Sequence, residues 1–289
     1  MASAILFALI NPVLIVGVVV LAVAILGRMS RSRVQLFANR QLLRITESNG
    51  DQVNRYLATT RRWRATGLLA GLLVSEATEP LRLGRISTGG ELIIIFVGWF
   101  IGALVAEARV AHLAHGRVRA ASLQPRRPRQ YVHPVTWALV PAAAAVALAV
   151  GAFTVVVGAA GWASPGALWG TIWLLAALAV AGTVRLAQHV VARRAQPLAA
   201  PDLIAADDAI RSRSLHVLSG AGAALVLFMV LNQLGSLHLH EFRVGTYEVR
   251  ESMILSIRIL GAFVVAGFGW LVAILTVPAP SRTMRVAQG

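Results

Sequence analysis

Cysteine is absent from this chain, so disulfides, thiolate metal sites and cysteine nucleophiles are excluded, and no redox compartment can be read from it. Lysine is absent too: all 27 basic residues are arginine. Charge is scarce, at 13% of residues against about 25% in soluble domains. Also missing are HExxH, GxSxG, a P-loop and a dinucleotide fingerprint preceded by a strand. No nucleophile, base and metal ligands recur at a recognisable spacing. This disfavours an enzyme, and neither a cofactor nor a metal is expected.

What is present is apolar: 57% of residues, with a mean hydropathy of +0.71. That composition describes a multi-pass membrane protein, and the apolar blocks recur along residues 1–289 without leaving room for a separate soluble core. One integral membrane domain is expected. A net charge of +15 would fit nucleic acid in a soluble protein. Arginines beside apolar spans instead serve orientation and attraction to anionic headgroups, so the expected partner is the lipid bilayer, not nucleic acid.

A bilayer core about 30 Å thick takes roughly 20 apolar residues of helix. Residues 4–26, 136–160, 168–189, 214–235 and 253–277 reach that length, and "LIIIFVGWFIGALVA", fenced by Glu91 and Glu107, supplies a shorter span at 91–107. The segment "RATGLLAGLLVSEATEP" is apolar only from Gly67 to Val74. Arginine-rich segments stand on both sides of it and its neighbour, at 28–65 and 107–135, and both belong on the cytoplasmic side. An even number of crossings must separate them, so 65–80 crosses together with 91–107, or neither does. The fold class expected is an all-α polytopic bundle of about seven spans (six if 66–79 does not cross), N-terminus outside and C-terminus inside. No charge precedes Arg28, so the first apolar block reads as a retained anchor, not a signal peptide.

Between the spans, residues 28–64 form an amphipathic cytoplasmic arm. Val34, Phe37, Leu43, Val53, Tyr56 and Trp63 recur near helical spacing, and "ESNGD" is expected to break the arm into two interfacial helices. A partner-docking surface is the alternative. A weak internal repeat sets "ARVAHL" at 108–113 against "VRLAQH" at 184–189, 76 residues apart, as in transporters built from repeats.

Two kinds of site stand out within the spans. Gly67 and Gly71, and Gly98 and Gly102, form GxxxG motifs that let helices approach closely. Glu76, Glu79, Asn232, Gln233 and Arg258 are polar groups near the outer ends of spans, where they would form a cluster open to the outside; snorkelling of Arg258 is the competing reading. Between the last two spans, "LHLHEFRVGTYEVRE" alternates as a short outer β-hairpin would, at 237–251. His238 and His240 share one side of such a strand but lack a third ligand nearby. The remaining histidines read as interfacial, and Asp202, Asp207 and Asp208 as acids favoured by a helix N-terminus.

The segments "RRAQPLAAPDLIAADDAIRSRSLHVLSGAGAALVL" and "RRWRATGLLAGLL", with the lysine-free composition, resemble uncharacterised multi-pass membrane proteins of high-GC actinobacteria. The resemblance implies a bacterial plasma membrane and no particular activity. Two functions fit these residues. One is a transport or permease component, working alone, as a homo-oligomer, or beside a separate ATPase or other membrane subunit. The other is a non-catalytic protein that organises partners through its arginine-rich cytoplasmic loops.

Overall fold

Runs of alanine, leucine and valine carry no side-chain polar group to compete with the backbone, and away from water a helix satisfies its amides within one segment. The computed structural model of the chain is accordingly helical. It describes residues 29–78, 88–113, 119–120, 128–160, 163–165, 167–194, 196–197, 200–235 and 237–239, with short helical pieces within 18–27 and 260–272. The main helices are α1 (Arg31–Gln41), α2 (Glu47–Thr78), α3 (Thr88–Leu113), α4 (Pro134–Ala159), α5 (Ala167–Arg193) and α6 (Pro201–Gly235). Four are long and apolar enough to cross a membrane: α3 through Ile93–Val110, α4, α5 through Trp169–Arg193, and α6. The apolar part of α2 is short, and α2 is not one of the four. Of the seven spans expected, 4–26 and 253–277 lie mostly outside the described residues.

The arm is broken earlier than "ESNGD" suggests. Its break runs from Leu42 to Thr46, and Glu47 opens a continuous helix of 32 residues that carries the arm into the apolar stretch. Asn49 explains the difference. Buried at that corner, its Oδ1 accepts from the Thr46 amide at 2.9 Å and its Nδ2 donates to the Arg44 carbonyl at 2.9 Å, so these polar residues brace a helix start. Leu42 closes α1 with φ 51° and ψ 36°, a left-handed conformation, while its side chain is exposed. There a Cβ costs about 1 kcal/mol or more. Leu42→Gly is therefore expected to stabilise the protein by about 0.5–1 kcal/mol, seen as a higher melting temperature in detergent. A lower one would mean that the leucine packs against something that matters.

α6 begins at Pro201, well ahead of the expected 214, with proline in the first turn and Asp202 beside it. Its 35 residues make a rod of about 52 Å, longer than the roughly 30 Å of a bilayer core. Among the described residues it is also the central helix. Within its apolar window 89% of residues are buried, against 22–39% in the other three long helices. A helix enclosed on nearly all sides is one that its neighbours surround, and α6 packs against α2, α3, α4 and α5. Val140 and Ala147 of α4, Val184 of α5, and Leu218 and Phe228 of α6 share one core. Phe37, Val53 and Tyr56 of the arm are buried in a second core with Val110, Ala206 and Ile210, so the arm's apolar face rests on α3 and α6 and not only on an interface.

Short strands tie the loops together. β1 (Arg119–Ala120) pairs antiparallel with β3 (Gln196–Pro197), and β2 (Ala163–Pro165) with β4 (Leu237–Leu239). The strand expected to open an outer hairpin therefore exists at Leu237–Leu239, but its described partner is Ala163–Pro165; residues 240–251 lie outside the described residues. The order α3-β1-α4-β2 recurs as α5-β3-α6-β4, and each strand pairs with its counterpart in the other half. The halves differ in packing: α5 lies along α6, whereas α3 lies along α2.

Candidate functional site at the arginine-rich end of the central helix

The residues singled out from the sequence fall in two places. α2 and α3 run side by side with their glycines at the contact: a Cβ on Gly98 would stand 2.5 Å from the Gly67 carbonyl oxygen and 2.7 Å from Gly71 Cα. A Cβ on Gly71 would stand 2.8 Å from the Ile94 carbonyl oxygen, and one on Gly102 3.0 Å from Gly67 Cα. The polar residues expected to form one cluster have separate surroundings where they are described. Glu76 is exposed, Asn232 spends its Nδ2 on the Phe228 carbonyl of its own helix at 2.9 Å, and Gln233 is buried with its amide toward Gly151 of α4. Glu79, Arg258, His238 and His240 have side chains outside the described residues.

The densest polar grouping is at the other end of α6. Asp207, fully buried, accepts from Arg194 Nη2 at 2.6 Å through Oδ1 and from Arg211 Nε at 2.7 Å through Oδ2. Arg211, also fully buried, holds Nη2 2.7 Å from the same Oδ2 and donates from Nη1 to the Ala192 carbonyl at 3.0 Å. One guanidinium thus clamps a carboxylate and caps the C-terminal carbonyls of α5, where a cation suits the helix dipole. From its place in the chain, Asp207 is expected to serve the dipole of its own helix start. The structure corrects this: its partners are two arginines.

A second group sits across α6. Glu107 of α3, 5% exposed, lies 3.8 Å from Arg64 Nη2 of α2. Nearby, the Tyr56 hydroxyl is 3.2 Å from Ser214 Oγ. Burial first, and the Glu107 charge second, push the Tyr56 phenol above its ordinary value, so it stays a neutral hydrogen-bonding group. Further along α6, Ser212 Oγ donates to the Tyr131 carbonyl at 2.9 Å, and the buried His216 has Nδ1 2.8 Å from the Ser212 carbonyl. Gln188 of α5 donates to Ser219 at 2.8 Å, both side chains fully buried. His216, read from the sequence as interfacial, is 2% exposed.

Asp207 and Arg211 could have been found from their i, i+4 spacing, which puts an acid and a base on one helix face. Arg194 and Glu107 carry no such local signal, because each meets its partner from another helix, and Gln188, which accepts from Arg185 at 3.0 Å on its own helix, meets Ser219 only across helices. Among the described residues no group of three or more histidine, aspartate or glutamate side chains could hold a metal ion.

Beside this polar end lies a cavity of about 670 Å³ between α2, α3 and α6, lined by Arg33, Arg61, Arg64 and Arg213 at one end and by Leu68, Ile95, Phe96, Ala221 and Leu225 at the other. Trp99 also lines it, with the Arg64 guanidinium 6.0 Å from its ring centroid. Arrangements of this kind can bind an anion that carries an apolar tail. No known protein family, curated protein or solved structure matches the chain.

Proposed function

We propose that the chain is a multi-pass protein of the bacterial plasma membrane that serves as a transport or permease component. The observation that carries this reading is α6. Enclosed by four other helices, it holds buried polar side chains along its length, from Asp207 and Arg211 through Ser212, His216 and Ser219 to Gln233. Polar side chains inside membrane bundles are costly and mark pathways or relays more often than plain packing. The recurring helix-strand order, with counterpart strands paired, adds support, because transporters are frequently built from two repeats around a central path.

In this reading about seven spans cross the bilayer with the N-terminus outside and the C-terminus inside, 65–80 crossing as the partner of 91–107 through the glycine contact. Single cysteines introduced at Ser122, Gly84 and Thr246 test it on intact cells, since no native cysteine interferes. An impermeant maleimide is expected to label the last two and spare Ser122→Cys; the reverse pattern would overturn the orientation.

Solute entry into proteoliposomes holding the purified chain, alone or with any ATPase that co-purifies, tests the transport reading. The expected result is time-dependent uptake of some solute in a broad panel. Absence of uptake, together with loss of cellular function when only residues 34–62 are removed, would favour the organising role instead. That second reading draws on the arginines exposed along the arm, such as Arg31, Arg33, Arg40 and Arg55.

A further inference from the structure

The cavity between α2, α3 and α6 has a direction. Its guanidinium groups come from Arg33, Arg61, Arg64 and Arg213, and no carboxylate is among its described lining residues. From Arg213, α6 runs twelve residues to Leu225, about 18 Å at the helical rise, and the lining turns apolar along the way. α2 repeats the gradient from Arg61 and Arg64 to Leu68, and α3 supplies Phe96 at the apolar end. Trp99, beside Arg64, is the side chain that favours the boundary between headgroups and hydrocarbon. Cations gathered this closely oppose one another: burial, with Arg33 and Arg62 nearby, pulls the Arg61 guanidinium below its usual range. Arg61 also donates to the Gly27 carbonyl, which holds it at the cavity's polar end.

A free inorganic anion would use only the polar end. At about 670 Å³ the cavity falls within the roughly 300–1,000 Å³ that encloses a whole organic ligand. We infer that it binds one anionic glycerophospholipid of the cytoplasmic leaflet, with the phosphate held by Arg61, Arg64 and Arg213 and one acyl chain against Leu68, Phe96 and Ala221. This inference rests on the membrane reading above, but not on transport. The bound phosphate would add an anion among these guanidinium groups, of which Arg64 already faces Glu107 at 3.8 Å, and bridge α2 to α6 near the Asp207 cluster.

The test is native mass spectrometry of the full chain in non-ionic detergent, given equimolar phosphatidylglycerol and phosphatidylcholine with the same acyl chains. One phosphatidylglycerol should be retained in preference by about tenfold or more, the size of one charge-assisted contact. Arg61→Gln with Arg213→Gln should abolish the preference, Ala221→Phe should reduce lipid retention by filling the apolar end, and Arg62→Gln, exposed on the same helix, should change little. Equal retention of the two lipids by the unmodified chain would overturn the inference whatever the variants do. Displacement by millimolar phosphate with Ala221→Phe still binding would assign the site to a free anion and equally overturn it. A chain found in the soluble fraction of cells would fail the membrane reading itself, a separate outcome.

Discussion

Replacing Asp207 with asparagine is expected to cost about 3–5 kcal/mol of stability, the loss typical when one partner of a buried ion pair is removed. The side chain keeps its shape, but Arg194 and Arg211, with side chains 7% and 0% exposed, lose a carboxylate that faces both. Two buried guanidinium groups would then share an amide that offers a single acceptor oxygen. The midpoint of unfolding in a graded mixture of mild and denaturing detergent reads the effect, beside Asp51→Asn as a control at an exposed position of α2. The control should move by less than about 0.5 kcal/mol. Combining Asp207→Asn with Arg211→Gln should recover part of the loss, because it removes one of the stranded charges. A midpoint for Asp207→Asn equal to the unmodified protein's would show that the cluster takes up water and that the ion pairs of Asp207 do not hold α6 against the end of α5.

Gly98→Val should separate α2 from α3. Even the first carbon of the new side chain would lie within 2.5 Å of the Gly67 carbonyl oxygen, and the obstacle is backbone, which cannot rotate away. Overpacking of this kind costs about 1–3 kcal/mol or more. The apolar stretch of α2 is short and α3 is its main packing partner, so the loss should also appear as protease sensitivity of α2. Gly67→Val should behave alike. Gly182→Ala supplies the contrast: its Cβ would meet nothing within 4 Å, and the gain in helix propensity should make it neutral or stabilising by up to about 1 kcal/mol. Equal effects of Gly98→Val and Gly182→Ala would remove the close approach as the reason for these glycines.

By itself the sequence determined the medium and the helical class: a chain this apolar, with its basic residues all arginine, belongs in a membrane, and stretches such as Pro134–Ala159 are apolar over a full bilayer width. Both are properties of composition and run length, which need no knowledge of neighbours. The spacing of Gly67, Gly71, Gly98 and Gly102 also marked small-residue faces, although which faces meet is a fact of packing. Residues 201–213 were misjudged for a related reason. Read along the chain, Asp207 and Asp208 look like acids at the start of a span that begins near 214; folded, they lie inside α6, because Arg194 and the end of α5 neutralise and cap what would be costly to bury alone. The partner of Leu237–Leu239 went unseen likewise, since a strand's own alternation does not say which distant segment completes its hydrogen bonds. Tyr56 meets Ser214 across 158 residues, and the four arginines of the cavity come from three separate stretches of chain. Only tertiary structure decides such contacts, because the energy of a buried charge or hydrogen bond depends on the group opposite, and no local pattern records what that group will be.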